Sequence, residues 1–288
     1  MLNDKVSQLL KEQLSEWDLA KKNYNALQQV KTKTLVVDSR KYKVQFNPAR
    51  IVSSTARVDA QSLQERKCFL CSNNLPAEQK GVSFKNNYTL LVNPYPIFPR
   101  HLTIPSVEHT PQLIATHFGD MLDLAQLLDD FVVFYNGPKC GASAPDHFHF
   151  QAGNKGFLPI EKNRDKYRAI SFESDNKKKL LKYFKQTYDS LPMQPDDTEP
   201  MMNTLTWYES DKWMVCIFAR KKHRPSCYGA EDDDNLLITP AAVELGGVFI
   251  TPLEKDFEKI KAEDIAKILH EINWQTCHNN ILKEELTK

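Results

Sequence analysis

The spacing of apolar positions along this chain changes several times, and each change predicts an element. Over residues 1–30, Val6, Leu9, Leu10, Leu14, Trp17, Leu19 and Ala20 recur at helical spacing among charges, which predicts one amphipathic helix packed on the body. Residues 33–60 read as strands with a turn at Asn47-Pro48. Residues 84–107 read as two strands split by a proline-rich turn over 94–99. Met121, Leu122, Leu124, Ala125, Leu127 and Leu128 give residues 119–130 the wide apolar face of a helix. The run 131–135 predicts a strand that feeds a loop rich in small residues. At 146–151 the period becomes two: Phe148 and Phe150 alternate with His147, His149 and Gln151.

The second half is less regular. Residues 161–191 are charged and predicted helical, with Lys177-Lys178-Lys179 as a solvated face, and residues 194–200 read as a loop. A strand over 212–220 leads into the basic run Lys221-Lys222-His223-Arg224, which suits either a phosphate or a solvated turn. A short apolar stretch with Gly246-Gly247 precedes a strand over 248–251, and residues 254–287 read as two polar helices. The order of elements predicts an α+β fold with a largely antiparallel sheet. Residues 1–30, 31–155 and 156–288 are the expected divisions: a leading helix and two halves.

Composition narrows the class. The 288 residues are 26% charged and 41% hydrophobic, with a formal net charge of +1, as in an ordinary soluble globular chain. Near-neutral charge argues against bulk nucleic-acid binding. No run approaches about 20 apolar residues, so no membrane span is expected. No signal peptide is expected either. That points to the cytoplasm and to reduced thiols at Cys140, Cys216, Cys227 and Cys277.

Three motifs carry chemistry. On a strand, His147, His149 and Gln151 would share one face, with Phe148 and Phe150 packed into the other. The loop Asn136-Gly137-Pro138-Lys139-Cys140-Gly141-Ala142-Ser143-Ala144-Pro145 lies directly before them. Its glycines permit close backbone approach to an anion, and Asn136 and Ser143 add neutral donors. Cys68-Phe69-Leu70-Cys71 is followed by Ser72-Asn73-Asn74, a turn-like sequence that suits a metal knuckle. Zinc takes about four ligands, so two histidines must come from elsewhere, and His101, His109, His117 and His147 are candidates.

Together these residues resemble the histidine-triad superfamily, in the branch of galactose-1-phosphate uridylyltransferases and dinucleoside-polyphosphate phosphorylases. The plant-type GDP-hexose phosphorylases are similar too. The segment from Leu90-Leu91-Val92-Asn93-Pro94 through His101-Leu102-Thr103-Ile104-Pro105 to Glu108-His109 matches that superfamily's strand–turn–strand core. The resemblance covers residues 44–153.

The resemblance implies a structural zinc held by Cys68, Cys71, His109 and His147, with His109 preferred over His101. It implies Asn93 at the ribose. It also places Asn47 and Arg50, in Asn47-Pro48-Ala49-Arg50, near the nucleotide, where Arg50 and Arg57 suit a phosphate. His149 is implied as the nucleophile that carries a nucleotidyl group. Its second ring nitrogen then needs a fixed acceptor such as a backbone carbonyl. Gln151 stands where the superfamily's hydrolases have histidine. A carboxamide cannot act as an acid, so transfer or phosphorolysis is favoured over hydrolysis. Asn136, Gly141 and Ser143 would hold phosphate.

The implied activity is that of a nucleotidyltransferase or phosphorylase. Its donor would be an NDP-sugar or a dinucleoside polyphosphate, and its acceptor phosphate or a sugar 1-phosphate. The implied fold is a histidine-triad-like sheet with packed helices in two pseudo-repeats. Residues 31–155 would be the catalytic half and 156–288 a degenerate copy. A homodimer is compatible with this reading. The competing readings are a nucleotide hydrolase, a non-catalytic nucleotide-binding zinc module and a zinc-knuckle nucleic-acid binder.

Overall fold

The computed structural model describes residues 1–231 and 234–274. In chain order the strands are β1 (Lys31–Val37), β2 (Arg40–Phe46), β3 (Gly81–Phe84), β4 (Tyr88–Val92), β5 (His101–Pro105), β6 (Phe131–Asn136), β7 (His149–Asn154), β8 (Ile170–Ser174), β9 (Met202–Glu209), β10 (Lys212–Ala219) and β11 (Val248–Thr251). The helices are α1 (Leu2–Glu16), α2 (Asp18–Leu27), α3 (Ile51–Ser54), α4 (Ala60–Glu65), α5 (Phe118–Leu127), α6 (Lys177–Ser190), α7 (Ala242–Leu245), α8 (Glu254–Lys259) and α9 (Ala262–Ile272). Among the described residues no helix is long and apolar enough to cross a membrane.

Eight strands form one sheet in the order β3-β4-β5-β7-β6-β9-β10-β8. All its pairings are antiparallel. A smaller sheet, β1-β2-β11, joins a hairpin to a parallel third strand. The large sheet is covered on both faces, which explains the apolar run at 131–135: a strand buried on both sides has no polar alternate. Val133 and Tyr135 face α1, α2, α5 and α6, in a core with Phe118, Met121, Leu122 and Phe184. Val132 and Phe134 face the smaller sheet, in a core with Tyr42, Val44, Phe249 and Ile268. β7 follows the same parity. Phe148 and Phe150 are fully buried in the first core, while His149 and Gln151 point to the other face.

Several elements differ from expectation. The first 30 residues form two helices, because Trp17 leaves helical geometry (φ −110°, ψ 101°) and turns inward. Strand structure in residues 33–60 stops at Phe46. Pro48 opens a 3-10 turn, a first-turn position that suits its fixed φ, and α3 and α4 follow. Asp59 caps α4 by accepting from Ser62 N–H at 2.9 Å. The charged region 161–191 contains β8 before α6. Ile170, Phe172 and Ser174 are buried at alternate positions there, and Asn176 then caps α6 through Lys179 N–H. β9 lies outside every expected strand, and β3 meets the expected 84–107 stretch only at Phe84. The histidine row also breaks, since β7 begins at His149 and His147 sits in the bend before it. Of the two helices expected over 254–287, α8 and α9 end at Ile272; residues 275–287, with Cys277, lie outside the described residues.

Candidate functional site

A cavity of about 430 Å³ lies on the β7 face turned toward the smaller sheet. Strand register builds its floor. Leu91 pairs with Thr103, Thr103 with Gln151, and Gln151 with Phe134, so these four side chains form a row across β4, β5, β7 and β6. His149 stands one place further along β7. Arg50 comes from the turn after β2, Asn136 from the end of β6, Gly141 and Ser143 from the loop after it, and Glu244 and Ile250 from α7 and β11. Trp17 and Leu19, at the break between α1 and α2, close one side. Phe69 and Leu70, the middle of the Cys-x-x-Cys turn, form part of the wall.

Hydrogen bonds fix which atoms face this space. His149 Nδ1 lies 2.8 Å from the His147 carbonyl, which can only accept. The proton is therefore on Nδ1, and Nε2 carries the lone pair. Burial pushes the imidazole down to about 4, against the opposing pull of that carbonyl, so the ring is neutral near pH 7. Gln112 locks the main chain here: its Oε1 accepts from His149 N–H at 2.7 Å and its Nε2 donates to His149 O at 2.9 Å.

Two of the cavity carboxamides, Gln151 and Asn136, are oriented as donors. Ile97 N–H donates to His101 Nδ1 at 3.1 Å, so the His101 proton is on Nε2, 3.1 Å from Gln151 Oε1. Gln151 then turns its amide nitrogen to the cavity. Burial, followed by the Arg50 charge, holds His101 down at about 3, so this donor is constant. Asn136 Oδ1 accepts from Asn203 Nδ2 at 2.8 Å and from Ala242 N–H at 2.9 Å, which leaves its amide nitrogen for the cavity. Asn203 is itself held by Arg220 Nη1 at 2.7 Å. Gly141 (φ +93°) lets the loop press on Ala241; a Cβ there would stand 2.6 Å from the Ala241 Cβ.

Arg50 and Glu244 are the cavity's charged pair. Arg50 Nη1 donates to Tyr95 O at 2.8 Å, and burial lowers its guanidinium to about 10. Glu244 accepts from Ala241 N–H at 2.9 Å, and burial raises its carboxyl to about 7. Asn93 lines the cavity, but its amide is engaged locally, accepting from Tyr95 N–H and donating to Thr103 Oγ1, each at 2.9 Å. Asn47 lies apart from these residues. It does not line the cavity, because its amide donates to Pro96 O at 2.9 Å and Gln45 Oε1 at 3.3 Å and so ties the turn together. Arg57 is exposed and away from the lining. The basic run is also outside: Lys222 pairs with Glu271, and Arg224 lies 4.1 Å over the Tyr228 ring.

Cys68, Cys71, His109 and His147 come together beside the cavity, with all their donor atoms within 4.8 Å of one another. Cys68 Sγ and Cys71 Sγ lie 3.3 and 3.6 Å from His147 Nδ1, and Cys71 Sγ lies 3.1 Å from His109 Nδ1. Ligands at about 2.0–2.3 Å from a tetrahedral zinc stand about 3.3–3.8 Å apart, so the cluster has the dimensions of a metal site. Its outer contacts fit as well. His147 Nε2 donates to Ser106 O at 2.8 Å, and His109 Nε2 faces Asp146, 3.7 Å away, whose other oxygen accepts from Arg66 at 2.6 Å. Such partners fix which imidazole nitrogen ligates. His101 and His117 lie elsewhere, His101 against Gln151 and His117 stacked on Phe148 at 3.8 Å.

Trp17, Thr103 and Glu244 are cavity residues that the sequence reading passed over. Thr103 was recoverable, since it alternates with Leu102 and Ile104 on a strand expected next to β7. Trp17 and Glu244 carry no local signal; one looks like a helix core residue and the other like a solvent-facing acid.

Fold and site together define an α+β protein with a histidine-lined cavity beside a four-ligand Cys/His cluster. Residues 9–154 match the model of a family described as a domain of unknown function, DUF4922, and the chain belongs to that family. No curated protein matches the sequence. Among solved structures, the yeast Ap4A phosphorylase Apa2 is similar at 17% identity. Its crystal structure aligns with a TM-score of 0.59 over 90% of this chain and 97% of that one. Its complex with AMP aligns at 0.62 over 94% and 98%. Its complex with Ap4A aligns at 0.57 over 93% and 98%. At that identity the likeness is one of fold, and it extends over nearly the whole of both chains.

Proposed function

We propose that this protein is a nucleotidyltransferase or phosphorylase that cleaves a dinucleoside polyphosphate or an NDP-sugar through a covalent nucleotidyl intermediate on His149. One observation carries the reading: a neutral imidazole, its Nδ1 proton anchored on a backbone carbonyl, beside a carboxamide donor in a cavity. Nε2 attacks the α-phosphorus, a P–N bond forms, and the P–O bond to the leaving group breaks with its electron pair on oxygen. A leaving nucleotide or sugar phosphate is already a stable anion and needs no proton. The amide nitrogens of Gln151 and Asn136 would stabilise the charge that builds on the phosphoryl oxygens. Ser143 and the Gly141 turn would hold the neighbouring phosphate, and Arg50 a phosphate further out. Inorganic phosphate or a sugar 1-phosphate then attacks phosphorus and releases His149.

Zinc is the metal whose ligand chemistry the Cys/His cluster suits, and four protein ligands give it a structural role. When bound, it would fix the Cys68–Cys71 turn, and so set Phe69 and Leu70 against the substrate. The second half is read as a degenerate copy that serves the first. β9 extends the sheet next to β6, and Asn203 orients Asn136. A reducing cytoplasm suits the thiols of this cluster.

The test is a panel of diadenosine polyphosphates, UDP-glucose and GDP-hexoses, each with and without phosphate, followed by mass spectrometry of the intact protein. The true donor leaves a nucleotidyl mass on His149, and His149→Ala lowers turnover by on the order of a thousandfold or more while folding and metal content persist. An adduct on another residue, or full turnover by the variant, refutes the mechanism.

A further inference from the structure

The β1–β2 hairpin faces residues 156–167 across a second cleft, of about 480 Å³. No residue lines both this cleft and the His149 cavity. Arg40, Lys41, Lys43, Lys162 and Lys166 surround it, and no carboxylate does. The whole chain carries a formal charge of only +1, so this is a local concentration rather than a consequence of composition. Of the neighbouring acids, Asp165 does not line the cleft, and Glu161 and Asp38 are engaged. Glu161 accepts from Gly156 N–H at 2.6 Å and Leu158 N–H at 2.8 Å. Asp38, which is 58% exposed, stands 3.9 Å from Arg40 and 3.8 Å from Arg168. Among the described residues, Lys41, Lys162 and Lys166 have no ion-pair partner.

The walls of the cleft are fixed, while Lys41, Lys162 and Lys166 carry no ion pair among the described residues. The Tyr167 hydroxyl donates to Lys41 O at 3.0 Å, and its ring packs edge-on against buried Tyr42 at 5.7 Å. Lys43 lies 5.1 Å over the Phe157 ring. A ligand would therefore pay little to order the backbone. A single negative charge would be screened at this depth, whereas several linked charges could meet an arginine fork and four ammonium groups together.

We propose that this cleft binds a small compound carrying a chain of several phosphates, as inorganic polyphosphate or as the tail of a nucleotide. The volume is that of a small-molecule site.

Calorimetry on the full chain at physiological salt tests it, with tripolyphosphate, ATP and adenosine as probes. Tripolyphosphate or ATP should bind and adenosine should not. K162E/K166E should weaken binding by on the order of tenfold or more, with K162Q/K166Q intermediate and melting temperatures unchanged. S143A, in the other cavity, should leave tripolyphosphate binding as it is. Binding of both probes assigns the phosphate chain alone; binding of ATP without tripolyphosphate assigns a nucleotide. Absence of binding by both, unchanged affinity in K162E/K166E, or loss in S143A instead overturns the proposal.

Discussion

At the scale of single residues, the two histidines of the motif have separate tasks. His149 presents Nε2 to the cavity, while His147 turns its Nδ1 to the thiols and its Nε2 to Ser106 O. Gln151 is the residue on which the reaction outcome should turn. Its oxygen is held by His101 Nε2, so only the amide nitrogen reaches a ligand, and that nitrogen donates a hydrogen bond without giving up the proton. Gln151→His should keep nucleotide binding and raise the share of hydrolysis several-fold over phosphorolysis, because an imidazole can transfer a proton. Product analysis with and without phosphate checks this, and an unchanged product ratio would remove Gln151 from the mechanism.

At the scale of elements, the Cys68–Cys71 turn joins the Cys/His cluster to a cavity wall within four residues. Cys71→Ser or His109→Ala should lose metal and lower the melting temperature, since binding energy at a structural site is folding energy. His101→Phe should keep metal, because that ring lies against Gln151 and not in the cluster. Metal analysis alongside thermal melts separates the two. Retention of full metal by His109→Ala would contradict the ligand set. β7 shows the same division on its other face. Phe148 and Phe150 are fully buried, with ring centroids 4.9 Å apart, and stack the strand on the helical layer. Phe148→Ala should cost about 3–5 kcal/mol of stability by denaturant unfolding, the usual figure for emptying an aromatic core position.

At the scale of the whole molecule, the segments before and after β7 are joined by buried polar groups as well as by β6–β9 pairing. Glu199, just before β9, accepts from Ile114 N–H at 2.9 Å and from the Tyr135 hydroxyl. Burial raises its carboxyl to about 7 from the ordinary 4.5. Between these values the folded state binds more protons than the unfolded chain. Stability from this group is therefore complete below about pH 4.5, and it falls as pH rises to about 7. The loss is on the order of a few kcal/mol. Glu199→Gln should flatten that slope between pH 5 and 8, because a carboxamide can accept from Ile114 N–H and donate to Tyr135 Oη, whose proton goes to Gln112 O at 2.8 Å. Urea melts across that range check it, and an unaltered slope would place the titration elsewhere.

The sequence by itself determined what local spacing can encode. Period two at 147–151 put Phe148 and Phe150 in the core and His149 and Gln151 in the cavity, because a strand has only two faces. The small residues at 136–145 marked a loop that lines the cavity, and Cys68-x-x-Cys71 marked half of a Cys/His cluster. Only tertiary structure decided the rest. His109 joins the cluster and His101 does not because the bend at 146–148 swings His147 out of the strand toward 106–109, and no spacing along the chain specifies that rotation. Asn47 looked like a ligand contact, but its amide satisfies buried carbonyl groups that exist only once the turn folds. Trp17 and Glu244, more than two hundred residues apart in sequence, meet at one cavity because the break between α1 and α2 and the helix α7 both reach it. Such a site is made by long-range contacts, and a linear pattern records only the face that each residue offers, not the surface that it will meet.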